Sequence, residues 1–202
     1  VGNYFDAEYQ LIAILDLLED SSDSWVLVSR ILAQTGDFEE TDQVLERLQS
    51  ERPNADPSDV YLARSQLAAS ARDVRRAFEY GRRAVEGSPD RPDLLAWTGR
   101  LALNLGLRDT GIEYVRRAWE LDPDNHDLAL GYADLIAREG DEEGARAVMA
   151  GMTQTPDVML SRVLFEVAAK NRAEAERLFS ILADMEWPNE SEKAFYQAQS
   201  AE

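Results

Sequence analysis

Between Asp93 and Leu105, apolar or small side chains recur at Leu94, Leu95, Thr98, Leu101, Ala102 and Leu105. That i, i+3, i+4, i+7 spacing predicts an amphipathic helix with one buried face. Gly106 stands where such a helix ends, because Gly enters the left-handed cap conformation at little steric cost. Asp109 opens a second predicted helix, with Ile112, Val115, Ala118 and Trp119 on one face. Leu121-Asp-Pro-Asp-Asn125 closes it, since Pro123 cannot donate a helical hydrogen bond. No convincing strand pattern appears anywhere in the chain.

This two-helix pattern repeats. Stepping by 34 residues aligns Ser65, Gly99 and Ala133, then Leu67, Leu101 and Leu135. Ala77, Gly111 and Ala145 align as well, as do Ala84, Ala118 and Met152, and Pro89 with Pro123. Asp59, Asp93 and Asp127 keep a further phase. After a two-residue insertion at Asp56-Pro57 the register runs upstream to Asp23, Ser29, Gly36, Leu48 and Pro53, and then to Gly2, Leu11 and Ile14. Downstream, Ala175 appears about four residues early, followed by Leu178, Phe179 and Leu182. Repetition at this period is the mark of stacked helical units.

The segment Leu95 to Pro123 resembles a tetratricopeptide repeat. Gly99 holds the small position of its first helix, Gly106 the inter-helix turn, Gly111 and Ala118 the small positions of its second helix, and Pro123 the end. Trp25, Ser29, Gly36-Asp37-Phe38, Leu48 and Pro53 match the same family. The unit from Ser58 keeps Ala77, Ala84 and Pro89 but has Arg72 where the turn glycine belongs; His126 to Pro156 keeps Ala133, Gly140-Asp141 and Ala145. The resemblance implies an all-α superhelical solenoid of antiparallel helix pairs with truncated ends. Its expected parts are a half repeat at 1–21, repeats at 22–57, 58–91, 92–125, 126–156 and 157–188, and a C-terminal helix at 189–202. Small residues have a mechanical role in it, because two helices approach closely only where one offers Gly, Ala or Ser to a knob on the other. One pair cannot bury both faces, so units must stack. Leu11, Ile12, Ile14, Leu15, Leu17 and Leu18 make the N-terminal helix too apolar for a cap. The chain therefore reads as a fragment of a longer array with a sticky N-terminal end.

Composition removes most chemistry. Of 202 residues none is Cys and one, His126, is His, so disulfides, thiolate metal sites and His pairs are absent. There is no Gly-rich phosphate loop, Gly-x-Ser-x-Gly, His-Glu-x-x-His or calcium-loop spacing. The reading is therefore no enzyme, with no catalytic residue, metal or cofactor. Glu39-Glu40 and Asp141-Glu142-Glu143 follow turn glycines, where carboxylates favour the positive end of a helix dipole. His126 sits in an inter-repeat turn, and Met149, Met152, Met159 and Met185 fall at core spacing. No run approaches the ~20 apolar residues of a membrane span. A formal charge of -18 argues against nucleic acid and anionic membranes. Lys170 and Lys193 are the only lysines, an Arg bias associated with GC-rich bacterial genomes.

What remains is surface. In the resembled family the first helices line a concave groove. Here that projection supplies Val26, Leu27, Arg30 and Gln34, then Leu62, Ala63, Gln66 and Ser70, then Trp97, Arg100 and Asn104, then Leu130, Asp134 and Arg138. The partner-binding candidates are Arg30, Gln34, Gln66, Trp97, Arg100, Asn104, Asp134 and Arg138. Trp97 lies outside its own helix's packed stripe, so it is either an exposed anchor beside Arg100 or packed on a neighbouring helix. The family's Lys/Asn clamp for a chaperone C-terminus is absent, its places holding Val26, Arg30 and Ala63. Asp23, Asp59, Asp93 and Asp127 are expected to cap the first helices and to form an acidic groove rim facing a basic patch on a partner protein.

Acidic residues predominate in 1–57 and 126–202, while 58–125 is balanced, with Arg75-Arg76, Arg82-Arg83 and Arg116-Arg117 on second helices. The leading expectation is a non-catalytic scaffold that holds another protein. The chain also resembles the periplasmic arrays of bacterial exopolysaccharide exporters, which implies recruitment of a polymer-modifying enzyme or guidance of a cationic polysaccharide, and a periplasmic location. A third expectation is end-to-end self-association into an oligomer.

Overall fold

A computed structural model describes residues 22–33, 38–52 and 54–185. Ten helices run through them, and we number them α1 Ser22–Leu32, α2 Phe38–Glu51, α3 Pro57–Ser70, α4 Val74–Gly87, α5 Pro92–Asn104, α6 Arg108–Leu121, α7 His126–Arg138, α8 Glu142–Gly151, α9 Pro156–Ala168 and α10 Arg172–Asp184. The described residues contain no strand. The half repeat at 1–21, the C-terminal helix at 189–202 and the apolar N-terminal end lie outside the described residues. The chain divides into two compact units, Val1–Leu121 and Asp122–Glu202.

Four inter-helix turns share one construction. Asp73, Leu107, Asp141 and Asn171 each donate a backbone N–H to the carbonyl five residues back, at 2.9–3.0 Å. The residue before each donor takes a left-handed conformation: Arg72 at φ 63°, Gly106 at 77°, Gly140 at 93° and Lys170 at 59°. This is a helix C-cap in which glycine costs least. Arg72 stands where the turn glycine belongs, as the spacing predicts, and Lys170 is a second departure of the same kind.

Helix starts differ from expectation. The side chains that cap backbone N–H groups are Asp56, Asn125 and Thr155 on first helices, and Asp73 and Asp141 on second helices. Asp23, Asp59, Asp93 and Asp127 instead sit inside the first turn. They complement the helix dipole but are not the caps. For Asp59 and Asp93 the physical reason is Pro57 and Pro92, which occupy the first helical turn and set those two aspartates one or two residues inward, while Asn125 takes the cap ahead of Asp127.

In unit 1 the main core joins Trp25, Val28 and Leu32 of α1 to Val44, Leu45 and Leu48 of α2 and Val60, Ala63 and Leu67 of α3. A second cluster gathers Ala68, Ala77 and Leu101, with Phe78, Tyr80 and Trp97 against it. Small residues permit a close crossing of α5 and α6: a Cβ on Gly99 would stand 3.1 Å from the Gly111 carbonyl oxygen, and one on Gly111 would stand 3.1 Å from that of Gly99. In unit 2 the core of α9 and α10 is Met159, Val163, Leu178 and Leu182. Ala133 and Ala145, the small positions of α7 and α8, are buried as their phase requires.

Candidate functional site

Arg30 on α1, Gln66 on α3 and Arg100 on α5 hold equivalent positions one repeat apart, and these helices belong to unit 1. Arg30 and Arg100 are exposed and Gln66 is half-buried. Asn104, one turn beyond Arg100, is exposed too. Gln34 lies outside the described residues. Asp134 and Arg138 belong to unit 2 and pair with each other at 2.9 Å across one turn of α7. Both are exposed, so the pair contributes little to stability, but it leaves no net charge there.

Trp97 is half-buried rather than an exposed anchor. Its indole N–H donates to Ser65 Oγ at 2.7 Å, and that hydroxyl donates to the Ala77 carbonyl at 2.6 Å. A buried indole needs a partner for its one donor, and the small position of the preceding repeat supplies it. Trp97 thus ties α5 to α3, while Arg100 stacks its guanidinium 5.6 Å from the ring centroid.

Half of the acidic rim is engaged within the protein. Asp59 is buried and paired with Arg91, which also grips Asp93 at 2.6 Å. Arg91 is held above its ordinary pKa by the Asp93 hydrogen bond, against the cost of burial, with Asp59 adding to it. Only Asp23 and Asp127 of the expected rim remain exposed without such a partner among the described residues. Several arginines of the second helices are paired as well: Arg76 with Glu39, Arg82 with Glu86, and Arg116 with Glu113 and Glu120.

Two polar knots escaped sequence reasoning. Arg64 donates from Nε and Nη2 to both Asp42 oxygens at 2.7 Å, and Tyr80 donates its hydroxyl to Asp42 Oδ2 at 2.7 Å. Burial lowers the Arg64 pKa, but the hydrogen bond and charge of Asp42, with Tyr80 adding to them, together outweigh that and the group stays well above its usual value. Burial raises the Tyr80 pKa, and Asp42 raises it further. In unit 2, Arg146 binds the nearly buried Glu166 at 2.7 and 3.1 Å, and Asn171 donates to Glu166 at 3.0 Å. No local spacing marks these knots, because Asp42 and Tyr80 lie 38 residues apart in the chain.

Two clefts open among the described residues of unit 2. One, of about 550 Å³, is polar and lined by Arg146, Arg162, Glu166, Asn171, Glu174 and Arg177. The other, of about 430 Å³ between α9 and α10, is apolar. Among the described residues no three His, Cys, Asp or Glu side chains gather as a metal cluster, and no helix is long and apolar enough to cross a membrane.

No family model matches the chain. A stretch of 69 residues is 32% identical to the BBSome complex member BBS4 of Bos taurus, covering 34% of this chain and 13% of that protein. Among solved structures, YrrB, described as a TPR protein with an unusual peptide-binding site, superimposes with a TM-score of 0.57 at 14% identity, covering 86% of this chain and 91% of that one. The chain has a tetratricopeptide-repeat fold. PilF of Pseudomonas aeruginosa is similar over 98% of this repeat chain and 90% of its own, with a TM-score of 0.59 and 18% identity. These likenesses lend no support to the exopolysaccharide-exporter resemblance.

Proposed function

We propose that this repeat chain is a non-catalytic scaffold whose first-helix face in unit 1 holds an acidic segment of a partner protein. The observation behind this is the pair Arg30 and Arg100, exposed on equivalent positions of α1 and α5, neither in an ion pair among the described residues. Asp59 and Asp93, by contrast, are engaged by Arg91. The formal charge of -18 repels an acidic segment at long range, but exposed charges beyond about 8 Å are largely screened at physiological salt. Local guanidiniums therefore outweigh the distant carboxylates, and an Arg fork binds carboxylate with two parallel hydrogen bonds. The exposed Asn104, one turn beyond Arg100, adds a polar group to the same helix face. That YrrB is described with a peptide-binding site agrees with a peptide as the occupant.

Fluorescence anisotropy with matched extended peptides, one Asp/Glu-rich and one Lys/Arg-rich, tests this. The acidic peptide should bind more tightly, and Arg30→Glu with Arg100→Glu should reverse the preference at a cost of about 2 kcal/mol. Tighter binding of the basic peptide, lost on Asp23→Asn, would instead assign the surface to the acidic rim.

A further inference from the structure

The polar cleft of unit 2 lies where the repeat has exchanged its charges. In register, Arg162 on α9 is the counterpart of Arg64 on α3, and Arg146 on α8 is the counterpart of Asp42 on α2. In unit 1 these two places close as an ion pair, with Arg64 holding both Asp42 oxygens at 2.7 Å. In unit 2 both places carry guanidiniums. Arg162 donates to Gln154 Oε1 and is in no ion pair among the described residues. An arginine for which the repeat provides a carboxylate in unit 1 thus stands without one here.

A second substitution shapes the wall of the cleft. The phase of Ala68, Ala102 and Ile136 is a buried one, yet on α9 it holds Glu166, which is 3% exposed. A buried carboxylate is costly unless it is paired and hydrogen-bonded. Glu166 accepts from Nε and Nη2 of Arg146 and from Asn171, which fixes the Arg146 guanidinium. Its Nη2 also meets Glu142 at 3.2 Å, while its Nη1 has no hydrogen-bond partner among the described residues. Arg177 likewise spends Nε and Nη2 on Glu174, at 2.7 and 2.6 Å, and leaves Nη1 uncommitted. Arginine has five N–H donors and no acceptor, so all three guanidiniums lining this cleft keep donors to offer.

The local charge agrees. Three arginines and two glutamates line the cleft, in a chain whose net charge is -18. The Glu174 carboxyl is held below its usual pKa by its Arg177 hydrogen bond, against the cost of burial, and the charges of Arg177, Arg162 and Arg146 add to that. The guanidiniums therefore act together on an anion in this place. A volume of about 550 Å³ is within the range of ligand pockets and leaves room for an acidic side chain with flanking peptide.

We propose that this cleft binds a carboxylate of a partner peptide, which supplies to Arg162 the acceptor that Asp42 supplies to Arg64. That the ligand is a peptide rests on the reading of the chain as a scaffold. The site itself is separate from the first-helix face of unit 1.

The test uses the full chain carrying Arg30→Glu and Arg100→Glu, so that the unit 1 face does not contribute and its reading stands or falls apart from this one. Three labelled peptides are compared by anisotropy: one of Ser, Leu and Asp with an amidated end, the same with Asn for Asp, and the Asn peptide with a free C-terminal carboxylate. The net charge disfavours the Asp peptide, so its preference over the amidated Asn peptide reports the local site. It should bind at least tenfold tighter, and Arg162→Gln should abolish that advantage. Arg162→Lys, which keeps the charge but not the fork, should restore only part of it. Glu174→Gln removes a competing carboxylate and frees Arg177, and it should tighten binding at least threefold, which no loss of folding can mimic. Unchanged helical circular dichroism checks each variant. A free-carboxylate peptide that equals the Asp peptide and responds alike to Arg162→Gln would uphold the proposal with a chain terminus as the source. Equal affinity for the two amidated peptides, indifference to Arg162→Gln or no binding would overturn it. A phosphoserine peptide at least tenfold tighter than the Asp peptide would overturn it in favour of a phosphate.

Discussion

Gly99 on α5 and Gly111 on α6 face each other so closely that a Cβ on either would lie 3.1 Å from the other's carbonyl oxygen. Backbone cannot yield there as a flexible side chain can. Gly99 would also drive a Cβ to 2.9 Å from Val115 Cγ2. Gly99→Leu should therefore destabilise by about 3 kcal/mol or more through overpacking. Gly131 on α7 has nothing within 4 Å of the same added atom, so Gly131→Ala should stabilise by about 0.5–1 kcal/mol through helix propensity. Urea denaturation of both variants checks the pair, and equal effects would refute the close crossing.

Arg72 and Lys170 occupy left-handed turn positions at φ 63° and 59°. Replacing either with Gly removes a strain of roughly 1–2 kcal/mol and adds unfolded-state entropy that offsets about 0.5–1 kcal/mol of it. The net expectation is a gain of about 0.5 kcal/mol, seen as a higher denaturation midpoint at unchanged slope. Gly106→Ala and Gly140→Ala should move the midpoint down.

The Asp42–Arg64 pair has both side chains only 12% exposed. Asp42→Ala leaves the guanidinium without its carboxylate and should cost about 3 kcal/mol. The double variant Asp42→Leu with Arg64→Met should recover most of that loss, because neither charge is then stranded. Thermal melts of the single and double variants distinguish a stranded charge from simple loss of packing.

Tyr80 has its pKa raised by burial and by the bond to Asp42. The folded chain thus holds this proton more firmly than the unfolded chain does. The associated stability is complete below the unfolded tyrosine value of about 10 and is lost as pH rises through the higher folded value. Tyr80→Phe should flatten the decline in melting temperature between neutral and strongly alkaline pH. At neutral pH it should cost about 1–2 kcal/mol for the lost bond to a carboxylate. A parallel decline in both proteins would show that Tyr80 does not carry the effect.

Helix pairs, their turns and their small crossing positions were legible in the chain because each depends on neighbours within a few residues or on a fixed period. Gly106, Gly140, Ala133 and Ala145 announce themselves that way. The surface was less legible. Trp97 left two readings open, and the hydroxyl that settles its place, on Ser65, lies 32 residues away. By phase alone Asp59 and Asp93 belong to a free acidic rim, but in the fold Arg91 bridges them. Residue type and phase alone thus determined the stacked two-helix repeat, since helix periodicity and cap conformations are local properties of the backbone. Only the tertiary structure decided which charges remain available to a partner, because an ion pair such as Asp42 with Arg64 forms between side chains that no local spacing relates.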